Sequence, residues 1–350
     1  MKKLVLSLIA VLMGTMGIQA QDDLVATLNH GSTISTFTGE DALSQAYAAA
    51  VDGDVITLSP GVFTGVDMDK AIILRGAGYK PMASNGYMST QITGTMKITL
   101  NSEASYTFEM EGLDFLHWVA FYGDKQAPVK LSKCYFRGSV EGWGGVSMNA
   151  VSCVFSQLYA KNYDERNNIY KNATLTCHNC VICFASSDGL YDGKIGKIVA
   201  YNCILKEGNS LPYSVLINSI IISQNTSSYH MLLSETCSID HCIGISSDSF
   251  GHDMFQNIAN PSNVMVEGQG ETAYANVFKT LKYIGNISLY ETFELTDEAA
   301  AQYLGDDGKQ VGIYGGNTPF NLDSTNPQVT KFSVSSTNEN GQLKVKINVE

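Results

Sequence analysis

Asn202-Cys203-Ile204-Leu205 is one copy of a phrase that recurs along the middle of the chain. The other copies are Gly112-Leu113-Asp114-Phe115, Lys133-Cys134-Tyr135-Phe136, Ser152-Cys153-Val154-Phe155, Asn179-Cys180-Val181-Ile182, Asn218-Ser219-Ile220-Ile221 and His241-Cys242-Ile243-Gly244. The second positions, from Leu113 to Cys242, are separated by 21, 19, 27, 23, 16 and 23 residues. A period near twenty with uneven insertions marks a solenoid, whose copies bury an apolar face only by stacking on one another. Within a copy, residues two apart are of similar kind, as in Cys203 and Leu205, which is strand periodicity. No copy carries a helical pattern. The reading is all-β: a parallel β-helix solenoid, with an N-terminal capping helix and a C-terminal β-hairpin.

The flanks follow from local signals. Met1-Lys2-Lys3 opens a basic start, Leu4 to Met13 is apolar, and Ile18-Gln19-Ala20 is a cleavage site, so residues 1–20 read as a secretory signal peptide. The apolar run is far short of the ~20 residues that span a bilayer. Without residues 1–20 the chain has 20 basic and 34 acidic side chains, a formal charge of −14. That surface repels nucleic acid and anionic membrane. Export leads to the cell surface, the periplasm or the medium, and no later stretch is long and apolar enough to span a membrane.

The β-helix domain is expected over 21–316. Residues 40–51 read as a helix with Thr38 as its cap and Leu43, Ala46 and Tyr47 on its apolar stripe, lying as a lid on the first coil. Residues 317–350 read as a linker and a hairpin, in which Val329 to Ser335 and Leu343 to Val349 alternate around a turn at Asn338-Glu339-Asn340-Gly341. Five of the eight cysteines share one repeat position. In-register strands put such neighbours about 4.8 Å apart, too long for a disulfide. They read as free thiols stacked in the interior. Cys177-His178-Asn179-Cys180-Val181-Ile182-Cys183 invites a zinc reading, but strand alternation sends Cys177 and Cys183 to the face opposite Cys180, so a packed core is preferred.

Thr38 onward, the helix, the run Gly53-Asp54-Val55-Ile56-Thr57-Leu58-Ser59-Pro60-Gly61-Val62-Phe63 and the run Ile73-Leu74-Arg75-Gly76-Ala77-Gly78 resemble the start of secreted β-helix proteins of the pectate-lyase-like superfamily. Gly305-Asp306-Asp307-Gly308 through Gly315-Gly316 resembles the segment that closes many such solenoids, and the short tail behind it resembles surface proteins of Bacteroides type. The resemblance implies a right-handed parallel β-helix and leaves the activity open. Its hydrolases use clustered aspartates with Gly-His-Gly and Arg-x-Lys. Here Gly251-His252-Asp253 stands instead, no Asp-Asp pair lies in the ladder, and Arg-x-Lys is absent. Its lyases use Asp- or Glu-bound calcium and an Arg or Lys base. For that chemistry the candidates are Arg166 and Lys194 as base, with Asp164, Asp188 and Asp192 as calcium ligands. The favoured expectation is non-catalytic, with no cofactor: a module that binds glycan or a partner protein through Trp118, Tyr122, Trp143, Tyr159, Tyr163 and Tyr170, whose rings suit sugar faces and protein surfaces. The rival classes are a calcium-dependent polysaccharide lyase and a structural spacer.

Overall fold

The computed structural model describes residues 24–79, 89–100, 106–123, 127–164, 169–206, 211–223, 236–246, 253–255, 258, 260–268, 270–281, 292–321, 329–334 and 345–349; Asp164, Ile169, Ser223 and the last two segments are described by backbone alone. The expected signal peptide, Arg166 and the turn 338–341 lie outside these residues.

Two long sheets wind along one axis. Neighbours in the first run from Thr33–Thr38 and Val25–His30 through Val55–Leu58, Ile73–Arg75, Phe108–Glu111, Ala127–Ser132, Val146–Val151, Ala173–His178, Lys194–Tyr201 and Val215–Ile217 to Ser238–Asp240. Neighbours in the second run from Gly61–Thr64 through Thr90–Thr93, Asp114–Phe115, Tyr135–Trp143, Val154–Lys161, Val181–Ile182, Ile204–Leu205, Ile220–Ser223 and Ile243–Ser246 to Val264–Met265. Successive coils pair in parallel, as in Val154 with Val181 and Val181 with Ile204. The chain is an all-β parallel solenoid.

Each copy of the repeated phrase is a corner between the two sheets. Its first residue is left-handed in every coil: Gly112, Lys133, Ser152, Asn179, Asn202, Asn218 and His241 have φ between 49° and 65°. Only glycine takes this conformation freely, and asparagine tolerates it, which explains three asparagines in seven positions. The second residue then points inward. Leu113, Cys134, Cys153, Cys180, Cys203, Ser219 and Cys242 are all fully buried.

These side chains do more than fill space. The Cys153 N–H donates to Cys180 Sγ at 3.4 Å, the Cys180 N–H to Cys203 Sγ at 3.4 Å, and the Cys203 N–H to Ser219 Oγ at 3.1 Å. A backbone N–H turned into an apolar interior needs an acceptor, and the next coil's sulfur or oxygen supplies it. In the last coil the Cys242 N–H uses Asn263 Oδ1 at 3.0 Å. Each thiol or hydroxyl donates in turn to the carbonyl two residues back, as Cys203 does to Tyr201 and Ser219 to Ile217. Burial pushes the Cys134 and Cys153 thiols far up and the Cys242 thiol up to about 12, so these stay protonated. The column beside them stacks Phe115, Phe136 and Phe155 with centroids 4.7 and 5.2 Å apart, nearly parallel.

Strand alternation fails at one expected place. Cys177 is buried on the same side as Cys180, because Asn179 turns the chain between them; Cys183, past the corner, is only half-buried.

The ends of the coil stack are built differently. Near the start, Ala42–Ala49 forms a helix, α1, whose Ala42, Leu43, Ala46 and Tyr47 are buried. The Tyr47 hydroxyl donates to Asp69 and accepts from the backbone of Asp69 and Lys70, and burial pushes it up to about 12. Thr38 does not cap this helix; it ends the preceding strand, and the N-cap is Asp41 with no side-chain cap bond. At the other end Phe255 and Met254 plug the core over Gly244, where a Cβ would meet Met265 and Met254 sulfurs at 2.6 and 2.9 Å. Asn260 and Asn263 side chains donate to the Ile239 carbonyl, in place of a further strand.

The closing resemblance at 305–316 corresponds to a strap on the flank rather than a plug in the end. After the last strand, Val264–Met265, the described residues of 266–321, with helices α2 (Glu271–Val277) and α3 (Asp297–Gln302), lie along the outside of the second sheet. Their apolar side chains, including Val277, Phe293, Leu295, Val311 and Ile313, cover the outward column Val154, Val181, Ile204, Ile220 and Ile243. The corner asparagines hold the strap. Asn218 donates from Nδ2 to Asp306 Oδ1 at 2.7 Å and accepts at Oδ1 from the Asp306 N–H at 3.0 Å, while Asn179 Nδ2 donates to the carbonyls of Ile313 and Gly315. The strap reaches Asn321, whose N–H donates to Ser152 Oγ. Beyond it, Val329–Val334 and Val345–Val349 pair antiparallel, with Phe332 opposite Ile347 and Val334 opposite Val345.

Candidate functional site

A third flank grows out of the second sheet. Tyr135–Trp143 bends where its register shifts between Phe136 and Ser139, at Arg137 and Gly138. Gly138 is required there, since a Cβ would lie 2.5 Å from the His117 carbonyl carbon. Arg137 holds the bend by a fork onto Asp114, with Nε–Oδ1 at 2.8 Å and Nη2–Oδ2 at 2.7 Å, and Gln91 donates to the same carboxylate. Asp114 is fully buried, so the pair is satisfied and structural.

Past the bend, Met96–Leu100, Val119–Gly123, the second halves of Tyr135–Trp143 and Val154–Lys161, and Ala185–Ser187 line up in parallel. Two outward columns result: Lys97, Ala120, Glu141, Tyr159 and Ser186, and beside it Thr99, Tyr122, Trp143 and Lys161. Tyr122 and Trp143 stack at 5.9 Å and 14°. This uses up ring faces along the solenoid axis: Tyr122 is buried, and the Trp143 indole N–H is taken by Glu141 Oε2 at 2.9 Å. Tyr159 leans on Phe184, and the Lys161 ammonium lies over the Tyr159 ring at 5.1 Å and 3.7 Å from Asp188. Trp118 is half-buried at the corner that opens this flank, its carbonyl accepting from the Met96 N–H.

Next to Lys161 the chain leaves the solenoid as two small antiparallel hairpins on consecutive coils. One pairs Tyr163–Asp164 with Ile169–Tyr170; the other pairs Gly189–Tyr191 with the start of Lys194–Tyr201. Tyr163 and Tyr170 are 5.1 Å apart, and Tyr170 and Tyr191 4.4 Å apart, all tilted rather than stacked. Tilting leaves ring area open. Tyr191 is 59% exposed and Leu190 51%. Asn162 pins the two hairpins: fully covered, it donates from Nδ2 to the carbonyls of Gly189 and Lys194, and its N–H donates to Asp188 Oδ2. Asn172 Oδ1 accepts from the Ile195 N–H on the far side.

The expected aromatic residues therefore divide. Tyr122 and Trp143 form a stacked ladder, Tyr159 sits under Lys161, and Tyr163 and Tyr170 join an exposed ridge. Leu190, Tyr191 and Asn162 complete that ridge and were not singled out in the sequence, because their neighbourhood depends on two coils coming into register. The expected calcium ligands stand in different roles. Asp188 is engaged by Lys161 and by the Asn162 N–H, Asp192 sits with φ 48° in the exposed hairpin turn, and Asp164 is described by backbone alone. Lys194 is exposed beside that turn. Among the described residues no group of three or more His, Cys, Asp or Glu side chains is arranged to hold a metal ion. The chain matches no family model, no curated protein and no solved structure in the comparisons made.

Proposed function

We propose that the chain is an exported, non-catalytic module of the right-handed, pectate-lyase-like kind, of Bacteroides type, which binds a glycan or a partner protein at the cell surface. Export rests on the signal peptide at 1–20. The helix α1 serves as lid of the first coil, and the strands Val329–Val334 and Val345–Val349 as a terminal hairpin. The observation that carries the binding reading is the ridge of Tyr163, Tyr170, Tyr191 and Leu190, whose tilted rings are held open on a support made by Asn162. Tyrosines on a rigid base offer a large amphipathic contact area at small entropic loss. Lys161 is paired with Asp188, and the exposed Asp192 and Lys194 balance in sign, so the flank offers no excess of positive charge and suits an uncharged surface better than a polyuronate.

Affinity electrophoresis through gels containing neutral or acidic polysaccharides, with cross-linking to cell-envelope proteins in parallel, tests the reading. Retardation or cross-linking lost in Tyr170→Ala and Tyr191→Ala, with unchanged unfolding curves, is the expected result. Calcium-dependent formation of unsaturated products from pectate, alginate or chondroitin, abolished in Lys194→Ala, would replace it with the lyase reading.

A further inference from the structure

One outward column of the first sheet changes character along the solenoid. In the early coils it is charged and pairs with itself: Arg75 Nε lies 3.4 Å from Glu111, and in the column beside it Lys130 bonds Glu109 at 2.8 Å. Four coils later in the same register it has become Val151, His178, Tyr201 and Ile217, with Thr176, Val199 and Val215 alongside. Val151, Tyr201, Val215 and Ile217 are half-buried. Among the described residues, none of these four packs into the interior core or into the core beneath the strap.

The strap ends at the border of this face. It runs along the corner residues from Asn218 past Asn179 to Ser152, and Ser152 directly follows Val151. The Asn321 N–H bonds Ser152 there, and the hairpin begins at Val329. The seven residues between them span at most about 25 Å. The hairpin has a matching face. Val329 pairs with Val349, Phe332 with Ile347 and Val334 with Val345, and the register shift after Val329 keeps it on the face of Phe332. All six of these positions are apolar, while Lys331, Ser333, Lys346 and Asn348 share the other face. Among the described residues the two strands pair with no third, and two strands alone are marginal in water. Strands of six and five residues extend roughly 17–20 Å, against about 14 Å for the four coils from Val151 to Ile217.

We infer that the apolar face of the hairpin docks on the first sheet of its own chain, over Val151, Tyr201, Val215 and Ile217. The strap covers the second sheet, the chain turns the corner at Ser152, and the hairpin covers the first. Its own chain is the occupant rather than a second copy because the tether starts at the border of the face, which gives the attached hairpin an effective concentration far above that of a separate molecule. The inference rests on the terminal hairpin of the proposed function and is independent of the tyrosine ridge.

Two measurements on the full chain test this. Trypsin has sites in the tail at Lys331, Lys344 and Lys346. Tyr201→Asp on the solenoid and Phe332→Asp in the hairpin should each speed cleavage there roughly tenfold, since cutting follows the population of the undocked form. Thr57→Asp, in the same column but in the charged coils, should leave the rate unchanged. An amine cross-linker applied to an equal mixture of isotope-labelled and unlabelled parent protein should join the tail lysines to Lys197, which lies in the same strand as Val199 and Tyr201, within one copy. Links between labelled and unlabelled copies would make a second copy the occupant and overturn the inference. Tail protection that appears only with cell-envelope extract would assign the face to another protein and overturn it too. Amide exchange separates failure of docking from failure of the hairpin. Slow exchange in 329–349 that Tyr201→Asp does not alter keeps the hairpin and overturns docking, whereas exchange at the unpaired rate in the parent removes the hairpin and the inference with it.

Discussion

Two outward columns run side by side on this solenoid and meet different fates. On the second sheet, Val154, Val181, Ile204, Ile220 and Ile243 repeat an aliphatic side chain through five successive coils and are buried under the strap. On the third flank, Ala120, Glu141, Tyr159 and Ser186 vary from coil to coil; Ala120 is buried, and Glu141, Tyr159 and Ser186 stay partly open to solvent. Geometry is the same in both, one residue per coil at about 4.8 Å spacing. Uniform aliphatic composition marks an internal interface, where water must be excluded over a continuous length. Mixed aromatic and charged composition marks a surface on which single contacts are adjustable. An outward-facing position on a solenoid is thus core or surface according to what the rest of the chain lays over it.

The strongest way to break the comparison is to put the same change on each column. Ile220→Asp places an unpaired carboxylate beneath the strap and should cost about 3–5 kcal/mol, enough to release the strap. Tyr159→Asp on the open column should stay within about 1 kcal/mol. Urea unfolding followed by circular dichroism reads both, and equal losses would mean that the third flank is also an internal interface.

A second test concerns the inward column. Cys203→Ala removes the acceptor of the Cys180 N–H and should cost about 1–3 kcal/mol, whereas Cys203→Ser, which reproduces the arrangement at Ser219, should recover most of it. If alanine and serine are equivalent in chemical denaturation, the thiols are only space-filling.

The strap itself is sharpened by Asn218→Ala, which deletes the reciprocal bonds with Asp306 and should cost about 1–2 kcal/mol. Limited proteolysis should then cut within 292–321 faster than in the parent, while cleavage around the third flank stays constant. Asn218→Gly relieves the left-handed corner but loses the same bonds, so it should fall between the two.

The smallest expected effect is a pH dependence on the first sheet. His178 stacks on Tyr201 at 5.0 Å, and burial lowers its pKa below the ordinary value. Above about pH 6.5 folded and unfolded chains both hold it neutral, and it contributes no pH slope. As pH falls below that value the unfolded chain takes up the proton first, so stability declines until the folded imidazole is protonated too. His178→Phe, which keeps the stack, should flatten the stability profile between pH 6.5 and 5 measured by thermal unfolding. An unchanged profile would place the acid sensitivity elsewhere.

The repeated phrase made the solenoid and its inward column legible in the sequence, because a side chain that must enter the same core in every coil leaves a periodic trace. Tyr163 and Tyr170 were legible as candidate contacts for a related reason: aromatic residues in a long polar insertion stand out. What the sequence could not carry were relations between residues remote along the chain. Alternation put Cys177 and Cys180 on opposite sides, and only the left-handed corner at Asn179 brings both inside. The cysteines read as small apolar filler, but the inward N–H groups that make sulfur or oxygen useful there exist only once coils stack. Tyr191 and Leu190 join the ridge through Asn162, 28 to 29 positions away along the chain. The strap pairs Asp306 with Asn218 across 88 positions. Local periodicity is imposed on the sequence by the core that every coil shares. Which outer columns are covered, and which are left open to solvent, is decided by where a non-repeating segment comes to lie, and that depends on the whole folded path of the chain.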